Sequence, residues 1–499
     1  MKKVDWKKEE KEIVFQGNKL NVVETIEKIA MENPDKLAVV FKNRFTTEKL
    51  TYSELIKKIN QVANYLNKKK IKKNSRVFIF LPKCIEFYYL FLGIIKHGSV
   101  PCPIFEAFQE QGLYLRLDRG DADAVITNKE LSKRLDKNKY KKVIIDRAFR
   151  KQLKSQKEKF SRVLKNKKDT CLMIFTSSTA GTPVAGIQIP HQGAVQWKYT
   201  AEKVLGLDKN KNYFCSAHPA WVTGSVYGIL APLLTGCCIY SIAGRFDVKA
   251  WLKFIKKNKI DIIYTAPTVL RFFRGNIKKS DLENVEKIFS VGEALQKSIV
   301  QAYHRLGLDV IDTYWQTETG AIVVANVNKK EGSIGEAIGV KIKTKKGMMV
   351  IEKSWPAMMT GIYKHEKMYK SYFLGKEFKT NDLAVKKGSN FYFSGRRDDM
   401  IKTSGERVSP IEIENILLKH PAVKEVAVFG IPDKQKGEII KAVIVVNRKF
   451  EGKMSEKLKE QISMFVKQNY AGHSYPKVVE FIDKLPKGNS GKIIKSKLK

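Results

Sequence analysis

The chain has 499 residues, of which 43% are hydrophobic and 10% aromatic, so it can bury large cores and is not disordered as a whole. At about 100–200 residues per domain, this length predicts roughly two to four domains. The 93 Lys and Arg residues outnumber the 51 Asp and Glu residues, which gives a formal net charge of +42.

A charge of +42 first indicates nucleic acid or an anionic membrane as a partner. The basic residues are spread along the chain, however, and the densest runs, residues 68–73 and 165–168, contain no aromatic residue to stack on a base. We therefore expect no nucleic-acid partner and no membrane partner. Small polyanions such as ATP or CoA are the alternative ligands that this charge favours, and the oligomeric state stays unknown.

The N-terminal residues contain no apolar segment of the kind that a signal peptide needs. Six cysteines without C-x-x-C spacing indicate reduced thiols in a cytoplasmic protein, and seven scattered histidines lack zinc-site spacing. Residues 225–244 carry no charge over about the length of a membrane span. Because Pro232 and the Thr235-Gly236 turn signal interrupt them, we predict a buried helix, a turn and a buried strand around residues 237–242.

Short β-prone runs alternate with helix-length amphipathic stretches through the first two thirds of the chain. Thr51 and Glu54 form the capping box of a helix predicted over residues 52–70, and a second helix is predicted over residues 248–258. Strands that alternate with helices predict an α/β architecture with largely parallel sheets. The predicted strands cover residues 37–41, 77–81, 124–127, 143–145, 172–175, 262–264, 287–291 and 308–311.

The pattern changes near residue 340. Residues 340–393 favour short β-segments separated by turn signals, which predicts a β-rich subdomain at the end of a large N-terminal domain. After Arg396 comes a small α+β unit of about 100 residues. Its predicted elements are a helix over 410–419, strands over 423–429 and 439–446, a helix over 456–468 and a strand over 478–481. Residues 395–405 are the predicted boundary, with an ordinary hairpin as the alternative.

The first segment with chemical character is residues 174–183, where a buried strand runs into a Ser/Thr/Gly loop. Such loops present backbone N–H groups and hydroxyls to phosphate. It is not a Walker A loop, because Ile187 and Gln188 follow where Lys and Ser or Thr are required. A plain turn is the alternative for this segment alone.

The second segment, residues 312–320, follows a predicted strand, and such loops bind ligands in α/β proteins. It offers the Glu318 carboxylate to a metal, the Thr317 hydroxyl to a phosphate, and Tyr314 and Trp315 for stacking. The alternative for this segment is the start of a capped helix.

Two further segments lie nearer the C-terminus. Residues 395–407 carry arginines suited to phosphate or ribose, although a solvated charged turn is the alternative. Residues 485–493 place a lysine in a Gly/Ser-rich loop, which is either a functional loop or a mobile tail.

Together and in this order, the four segments resemble the adenylate-forming acyl-CoA synthetase (ANL) superfamily, and most of all the shorter bacterial and archaeal acetate–CoA ligases. The resemblance covers essentially the whole chain and is carried by IFEAF (104–108), PAWVTGSVYGI (219–229), GRFDVKAW (244–251), SVGEAL (290–295), DTYWQTETG (312–320), SIGEAIG (333–339), SGERVSPIEIE (404–414) and LPKGNSGK (485–492).

The resemblance implies an N-terminal AMP-binding and acyl-substrate domain over residues 1–397 and a mobile C-terminal domain over residues 398–499. It also implies two half-reactions. A carboxylate attacks the α-phosphate of Mg-ATP to give an acyl-adenylate and pyrophosphate. The C-terminal domain then rotates, and the CoA thiol displaces AMP. Mg²⁺ is the implied cofactor, with ATP and CoA as substrates.

By matching motif positions, the resemblance also assigns roles to individual residues. It implies Lys492, Arg407, Thr317 and Glu318 as catalytic residues, Glu318 as the magnesium ligand, Asp398 as the hinge, and Gly405 and Arg116 as CoA contacts. The implied ATP- or AMP-binding residues are Thr176, Ser177, Ser178, Thr179, Gly181, Gly292, Glu293, Ala294, Asp312, Thr313, Tyr314, Gln316, Thr317, Asp382, Arg396 and Arg407.

The implied acyl pocket is small. Trp315 matches the tryptophan that floors the pocket in acetyl-CoA synthetases, and Val222, Thr223 and Val291 match its walls. A buried indole removes the space of several methylenes, so we expect acetate as the acid, with propionate tolerated. The alternative is that the indole rotates away and longer acids enter.

The phosphate loop departs from the ligases that it resembles. Ser178, Ala180, Thr182, Val184 and Ala185 stand where those enzymes usually have Gly, Thr, Lys, Lys and Gly. Two cations are lost, and charge-assisted contacts are about twice as strong as neutral ones, which predicts weaker ATP binding or slower adenylation. The alternatives are therefore a ligase for a different or longer acid and a catalytically weakened nucleotide-binding paralogue. Two milder departures are Asn381 for Gly and Ala294 for Pro.

Overall fold

The computed structural model describes residues 4–136, 139–176, 185–244, 246–292, 295, 297–352, 355–396, 401–408, 410–472, 474–486, 495 and 498. The chain divides into two compact units. The first comprises Met1–Glu106, Gly120–Phe175 and Gly186–Gly395, and the second comprises Ala107–Arg119, Thr176–Ala185 and Arg396–Lys499. The second unit thus draws on residues from both sides of the boundary expected at residue 397. The division into an N-terminal domain and a mobile C-terminal domain stays a prediction.

Strands and helices alternate along most of the chain, and the α/β class is confirmed. The strands are β1 (Phe15–Gln16), β2 (Lys19–Leu20), β3 (Leu37–Lys42), β4 (Thr47–Thr51), β5 (Arg76–Phe80), β6 (Val100–Ile104), β7 (Ala124–Thr127), β8 (Lys142–Ile144), β9 (Lys165–Asn166), β10 (Thr170–Thr176), β11 (Ala185–Pro190), β12 (Asn212–Cys215), β13 (Cys238–Ile242), β14 (Ile262–Thr265), β15 (Lys287–Ser290), β16 (Val310–Tyr314), β17 (Val324–Ala325), β18 (Gly335–Ala337), β19 (Ile342–Lys345), β20 (Met348–Glu352), β21 (Gly361–Ile362), β22 (Phe373–Leu374), β23 (Glu377–Lys387), β24 (Asn390–Arg396), β25 (Ile401–Thr403), β26 (Glu406–Val408), β27 (Val423–Asp433), β28 (Gly437–Val446) and β29 (Val478–Phe481).

The α-helices are α1 (Trp6–Glu9), α2 (Val22–Glu32), α3 (Tyr52–Lys68), α4 (Ile85–His97), α5 (Glu110–Arg119), α6 (Arg147–Lys154), α7 (Gly193–Thr200), α8 (Val222–Ser225), α9 (Ala231–Leu233), α10 (Val248–Lys257), α11 (Pro267–Arg274), α12 (Lys297–His304), α13 (Glu366–Ser371), α14 (Pro410–Leu417) and α15 (Glu456–Asn469). Short π-helical segments cover Ala201–Leu205 and Val226–Leu230, and short 3-10 turns cover Glu10–Glu12, Leu131–Arg134, Lys279–Asp281 and Arg448–Lys453.

The largest sheet carries the edge at which ligand-binding loops are expected. Within the described residues it has fourteen strands, in the order β19-β20-β23-β24-β18-β17-β16-β15-β14-β12-β13-β3-β4, with β22 beside β23. The run from β16 through β15, β14, β12 and β13 to β3 is parallel. Parallel strands bring their carboxyl ends to one edge, so the loops after β12, β14, β15 and β16 leave the sheet side by side.

A second parallel sheet has the order β6-β5-β7-β8. Its strand β6 is not among the predicted strands, and it contains Pro101 and Pro103. The strand lies at the edge of this sheet, where a proline needs to donate no ladder hydrogen bond on the open side.

Local sequence signals set several of the helix ends. The Thr51 side chain accepts the Glu54 N–H at the start of α3, while Glu54 accepts the Thr51 N–H, so the predicted capping box is present. Helix α4 ends at Gly98, whose φ of 85° is the left-handed conformation that glycine adopts without strain.

The uncharged stretch over residues 225–244 forms the predicted sequence of helix, turn and strand. The segment from α8 to α9 is almost wholly buried, a turn follows, and β13 enters the large sheet. In the described part of the chain, no helix is both long and apolar enough to cross a membrane.

The second unit has its own core. Strands β26, β25, β28 and β27 form a sheet in that order, and β29 adds to β28 in parallel. Ala427, Phe429, Val443, Val445 and Leu485 pack together as a buried cluster. This arrangement matches the predicted small α+β unit, and α14 begins with Pro410, as the sequence indicates.

Candidate functional site

The carboxyl ends of four neighbouring parallel strands bring together segments that are predicted to form the acyl pocket and the nucleotide site. Cys215 of β12 pairs with Tyr264 of β14, Thr265 with Ser290 of β15, and Ser290 with Asp312 of β16. The predicted site residues Val291 and Gly292 follow β15 directly, and the segment 312–320 continues from β16. The sheet register therefore gathers segments that lie far apart in sequence.

Asp382 is the centre of a buried hydrogen-bond network. Asp382 is only 1% exposed. Its Oδ2 accepts one hydrogen bond from the Tyr314 hydroxyl at 2.8 Å and another from Gln316 Nε2 at 2.7 Å. Gln316 Nε2 also donates to the Thr380 carbonyl at 2.8 Å. Three residues predicted to contact the nucleotide are thus held in one orientation by one another.

The residue before Asp382 explains one departure from the resembled ligases. Asn381 has a φ of 57°, in the left-handed region where glycine is unstrained. Asparagine is among the few other residues that adopt this conformation readily. The substitution therefore preserves the backbone path that aims Asp382 into the network.

The segment after β16 is an irregular turn, so the interpretation as a capped helix start is wrong. The Gln316 N–H donates to Thr319 Oγ1 at 2.9 Å, and the Gly320 N–H donates to the carbonyls of Gln316 and Thr317 at 3.1 Å. Gly320 has a φ of 70°, and a Cβ there would lie 1.8 Å from the Ala357 carbonyl oxygen, so no larger residue fits.

Within this turn, the predicted metal and phosphate residues differ in exposure. Thr317 is buried; Asp312, which lies in β16 before the turn, is also buried, and its Oδ1 accepts the Thr313 N–H at 3.1 Å. Glu318 is half-exposed, and its Oε1 accepts the Tyr372 hydroxyl at 3.2 Å. A half-exposed carboxylate suits a magnesium ion that also binds substrate phosphates and water. No cluster of three or more metal-ligating side chains occurs among the described residues.

Trp315 is fixed in an aromatic cluster. It is 5% exposed, and its Nε1 donates to the Tyr264 hydroxyl at 3.0 Å. The ring of Tyr227 meets the indole edge-on, with ring centroids 5.0 Å apart. Tyr227 belongs to the π-helical segment that continues from α8, whose first residues are the predicted pocket walls Val222 and Thr223. Both wall residues are half-buried, and Val291 is buried.

For several predicted site residues the structure gives a place in a strand or turn, and others lie outside the described residues. Thr176 is the last residue of β10, Arg396 ends β24, and Arg407 pairs with Lys402 in the hairpin of β25 and β26. Gly405, with a φ of 81°, is in the turn of that hairpin. Outside the described residues lie Ser177, Ser178, Thr179, Gly181, Glu293, Ala294, Asp398 and Lys492, together with the departures Ala180, Thr182 and Val184.

Arg116 is packed inside the second unit. Its NH1 donates to the Gly112 carbonyl at 2.8 Å, and its NH2 lies 3.5 Å from Glu412 Oε2. The guanidinium carbon lies 3.8 Å from the centre of the Phe108 ring, and both charged side chains are buried. Burial lowers the pKa of Arg116, while Glu412 opposes that change. In this arrangement Arg116 faces Glu412 rather than solvent, so its contact with CoA stays a prediction.

A group of polar side chains that was not predicted from the sequence lies at the carboxyl ends of β5, β6 and β12. Lys83 Nζ donates to the Ser216 carbonyl at 2.9 Å, and His218 Nε2 lies 3.0 Å from Glu106 Oε2. Burial lowers the pKa of Lys83 to about 8. Burial raises the pKa of Glu106, but His218, a backbone hydrogen bond and Lys83 together outweigh burial, so the net shift is downward. Their position just after parallel strands was the signal that would have found them.

Comparisons with known proteins place the chain in one family. The profile of AMP-binding enzymes matches residues 26–350, and that of the AMP-binding enzyme C-terminal domain matches residues 412–492. An acetyl-coenzyme A synthetase of Bacillus subtilis (strain 168) is 37% identical over 93% of this chain and 87% of its own length. That of Methanothrix thermoacetophila is 29% identical over 91% and 78%.

Solved structures agree with this fold. An acyl-CoA synthetase from Brucella canis superposes with a TM-score of 0.73 at 26% identity, covering 99% of this chain and 96% of its own. An o-succinylbenzoate CoA synthetase from Bacillus subtilis, solved with a product analogue, superposes with a TM-score of 0.84 over 96% and 98%. At 20% identity the latter supports the fold alone. With both family regions matched in order along its length, the chain belongs to the adenylate-forming acyl-CoA synthetases of the AMP-binding enzyme family.

Proposed function

We propose that the chain joins acetate to CoA, with propionate as an accepted alternative, through an acyl-adenylate. Acetate or propionate displaces pyrophosphate from ATP, and the CoA thiol then displaces AMP. The observation that carries this choice of acid is the Trp315 indole, which is buried, hydrogen-bonded to Tyr264 and packed against Tyr227. The relatives named acetyl-coenzyme A synthetase support the same choice.

Nucleotide binding in this proposal depends on Asp382. Tyr314 and Gln316 both donate to its Oδ2, which holds the buried carboxylate in one orientation. In that orientation it accepts the ribose hydroxyls of ATP, as charge-assisted hydrogen bonds. Because the carboxylate is already ordered before the nucleotide binds, binding loses no further entropy by fixing it.

The first half-reaction brings two anions together, so cations have to stabilise the charge that develops at the α-phosphate. In the proposal Lys492 contacts both the carboxylate and the α-phosphate. Arg396 and Arg407 contact ribose and phosphate, and Thr317 donates its hydroxyl to the α-phosphate. The Glu318 carboxylate is a suitable magnesium ligand, and bound magnesium would neutralise charge on the phosphates. The C-terminal domain would then rotate about Asp398. In the proposal this rotation withdraws Lys492 from the reacting groups and brings in the part of the domain that carries Gly405.

Acid selection in the proposal is a matter of volume. An indole that floors the pocket leaves room for one or two carbons, and packed interiors do not yield the volume of further methylenes without strain. Each extra methylene that does not fit is worth about 10–200-fold in kcat/KM. Val222, Thr223 and Val291 are the proposed walls.

A second candidate is a nucleotide-binding paralogue with weakened catalysis. The neutral Thr182 and Val184 at positions where the resembled ligases carry lysines favour it. The loop would then bind phosphate through backbone N–H groups and hydroxyls alone. The chain retains four residues implied for catalysis or ribose binding, Asp382, Glu318, Arg407 and Lys492, which favours an active enzyme over this candidate.

The proposed location is the cytoplasm. All six cysteines are free thiols, which fits such a reducing compartment.

The test is pyrophosphate release from Mg-ATP with acetate, propionate, butyrate or octanoate, each with and without CoA. The proposal requires release with acetate and propionate, and formation of the matching thioester when CoA is added. No release with any acid, alongside measurable AMP binding, would establish the second candidate. Faster turnover of octanoate than of acetate would refute the proposed pocket.

A further inference from the structure

A row of buried groups crosses three neighbouring parallel strands beneath Trp315. Tyr264 comes from β14, Ser290 from β15 and Thr313 from β16. The Tyr264 hydroxyl lies 3.0 Å from Trp315 Nε1 and 2.9 Å from Thr313 Oγ1, and Thr313 Oγ1 lies 2.7 Å from the Ser290 carbonyl oxygen. All four residues are buried, so their polar groups need hydrogen-bond partners inside the protein.

The direction of every hydrogen bond in this row follows from the chemistry of its ends. The indole N–H only donates and the Ser290 carbonyl only accepts. Thr313 has one hydroxyl hydrogen, which goes to Ser290, so toward Tyr264 it accepts. Tyr264 therefore donates to Thr313 and accepts from Trp315. The row is therefore a hydrogen-bond relay in which each group donates toward the main chain of β15. This relay anchors the indole to that strand.

Tyr227 contacts the same indole without bonding to it. The Ile322 N–H donates to the Tyr227 hydroxyl at 2.9 Å, and that hydroxyl lies 2.8 Å from Thr200 Oγ1. Thr200 gives its own hydrogen to the Gln196 carbonyl at 2.7 Å, so Tyr227 donates to Thr200. Its ring meets Trp315 at 75° and Tyr264 at 85°, both edge-on.

We propose that Tyr264 is a positioning residue that sets the upper chain length of the acid, by holding the Trp315 indole across the acyl pocket. This inference rests on the proposed function. An indole that rotated out of the pocket would leave its N–H and the Tyr264 lone pair unpaired in a buried site, which is disfavoured. The hydrogen bond from Trp315 to Tyr264 therefore opposes the alternative in which the indole rotates away and longer acids enter.

The variant Tyr264→Phe tests this inference, because it keeps the ring and removes the acceptor. We expect the ratio of kcat/KM for butyrate to that for acetate to rise by about 10-fold, the low end of the discrimination that one methylene provides. Tyr227→Phe is the matched control, since it removes an equally buried hydroxyl from the same cluster but leaves the indole bond. Its ratio should stay within about two-fold of wild type.

A double-mutant cycle isolates the bond from general destabilisation. In a Trp315→Phe background there is no indole N–H, so adding Tyr264→Phe should change the ratio no further. An equal shift with and without the indole would overturn the inference, and so would an unchanged ratio in Tyr264→Phe itself.

A measurement without turnover separates this inference from the proposed function. The Trp315 indole ¹H–¹⁵N signal, identified by its loss in Trp315→Phe, should exchange with deuterium far more slowly than that of the half-buried Trp221. Exchange as fast as that of Trp221 in wild type would overturn the inference, even if Tyr264→Phe does not fold. Wild-type protein that activates no acid yet shows slow exchange at Trp315 would refute the proposed function and leave the relay supported.

Discussion

Asp382 is the residue whose replacement best separates nucleotide binding from stability. Both of its described donors, the Tyr314 hydroxyl and the Gln316 amide, reach the same oxygen, at 2.8 and 2.7 Å. An amide oxygen has two lone pairs, so Asp382→Asn retains an acceptor for both donors. Asp382→Ala removes both hydrogen bonds at a position where the wild-type residue is 1% exposed.

The two variants therefore differ in a calculable way. Each hydrogen bond to a charged group contributes about 1.5–3 kcal/mol, so Asp382→Ala should lose about 3–6 kcal/mol of stability in the first unit. Asp382→Asn should lose little stability but weaken the ribose contact by one such bond. That loss corresponds to about 10–150-fold in the KM for ATP.

The assay compares ATP with 2′-deoxy-ATP in acetate-dependent pyrophosphate exchange, with AMP and 2′-deoxy-AMP binding as a check that needs no turnover. Wild type should prefer the ribonucleotide, and Asp382→Asn should lose most of that preference at nearly unchanged Tm. If Asp382→Asn retained the full preference for ATP over 2′-deoxy-ATP, Asp382 would not hold the ribose and the nucleotide site would have to lie elsewhere.

Three further predictions concern other parts of the site. Trp315→Gly should raise kcat/KM for butyrate relative to acetate by about 10–200-fold, the discrimination that the one methylene beyond propionate provides; an unchanged ratio would contradict it. Lys492→Ala should abolish ATP–pyrophosphate exchange yet still convert supplied acetyl-AMP to acetyl-CoA, and normal exchange would show the assignment to be wrong. Because burial lowers the pKa of Lys83 to about 8, Tm should rise from pH 8 to 10, where the unfolded chain still holds the proton; Lys83→Met should remove this rise, and its persistence would implicate other groups.

The sequence predicted the elements wherever one local signal dominated. The Thr51–Glu54 box marked the start of α3, and alternating runs marked most strands of the parallel sheets. Strand β6 was not predicted; it contains two prolines and lies at the edge of its sheet, where prolines are tolerated. The fold class followed from that pattern, and the family followed from ordered motifs.

The site was only partly predictable, because hydrogen bonds between distant residues leave no local pattern. Asp382 was named from its motif, but its union with Tyr314 and Gln316 depends on how β23 and β16 lie in the sheet. Tyr264 was read only as part of a strand, since nothing in its neighbourhood points to Trp315, 51 residues away.

Two details show how geometry changes the meaning of a residue. Asn381 looked like a departure from a family glycine, yet its left-handed φ of 57° makes it a near-equivalent. Arg116 is implied as a CoA contact by the resemblance, and in the structure its guanidinium packs against Phe108 and faces Glu412, a partner that the motif does not reveal. Backbone angles and ion pairs of this kind are set by tertiary structure and are invisible to motif matching.

The most direct test of the account is the product balance of a single reaction. Purified protein is incubated with Mg-ATP, acetate and CoA, and AMP, pyrophosphate and acetyl-CoA are quantified together. We expect the three products in equal amounts, with acetate used faster than octanoate. Formation of ADP and phosphate, or thioester without AMP, would contradict the adenylate mechanism; faster use of octanoate would contradict the pocket that Trp315 defines.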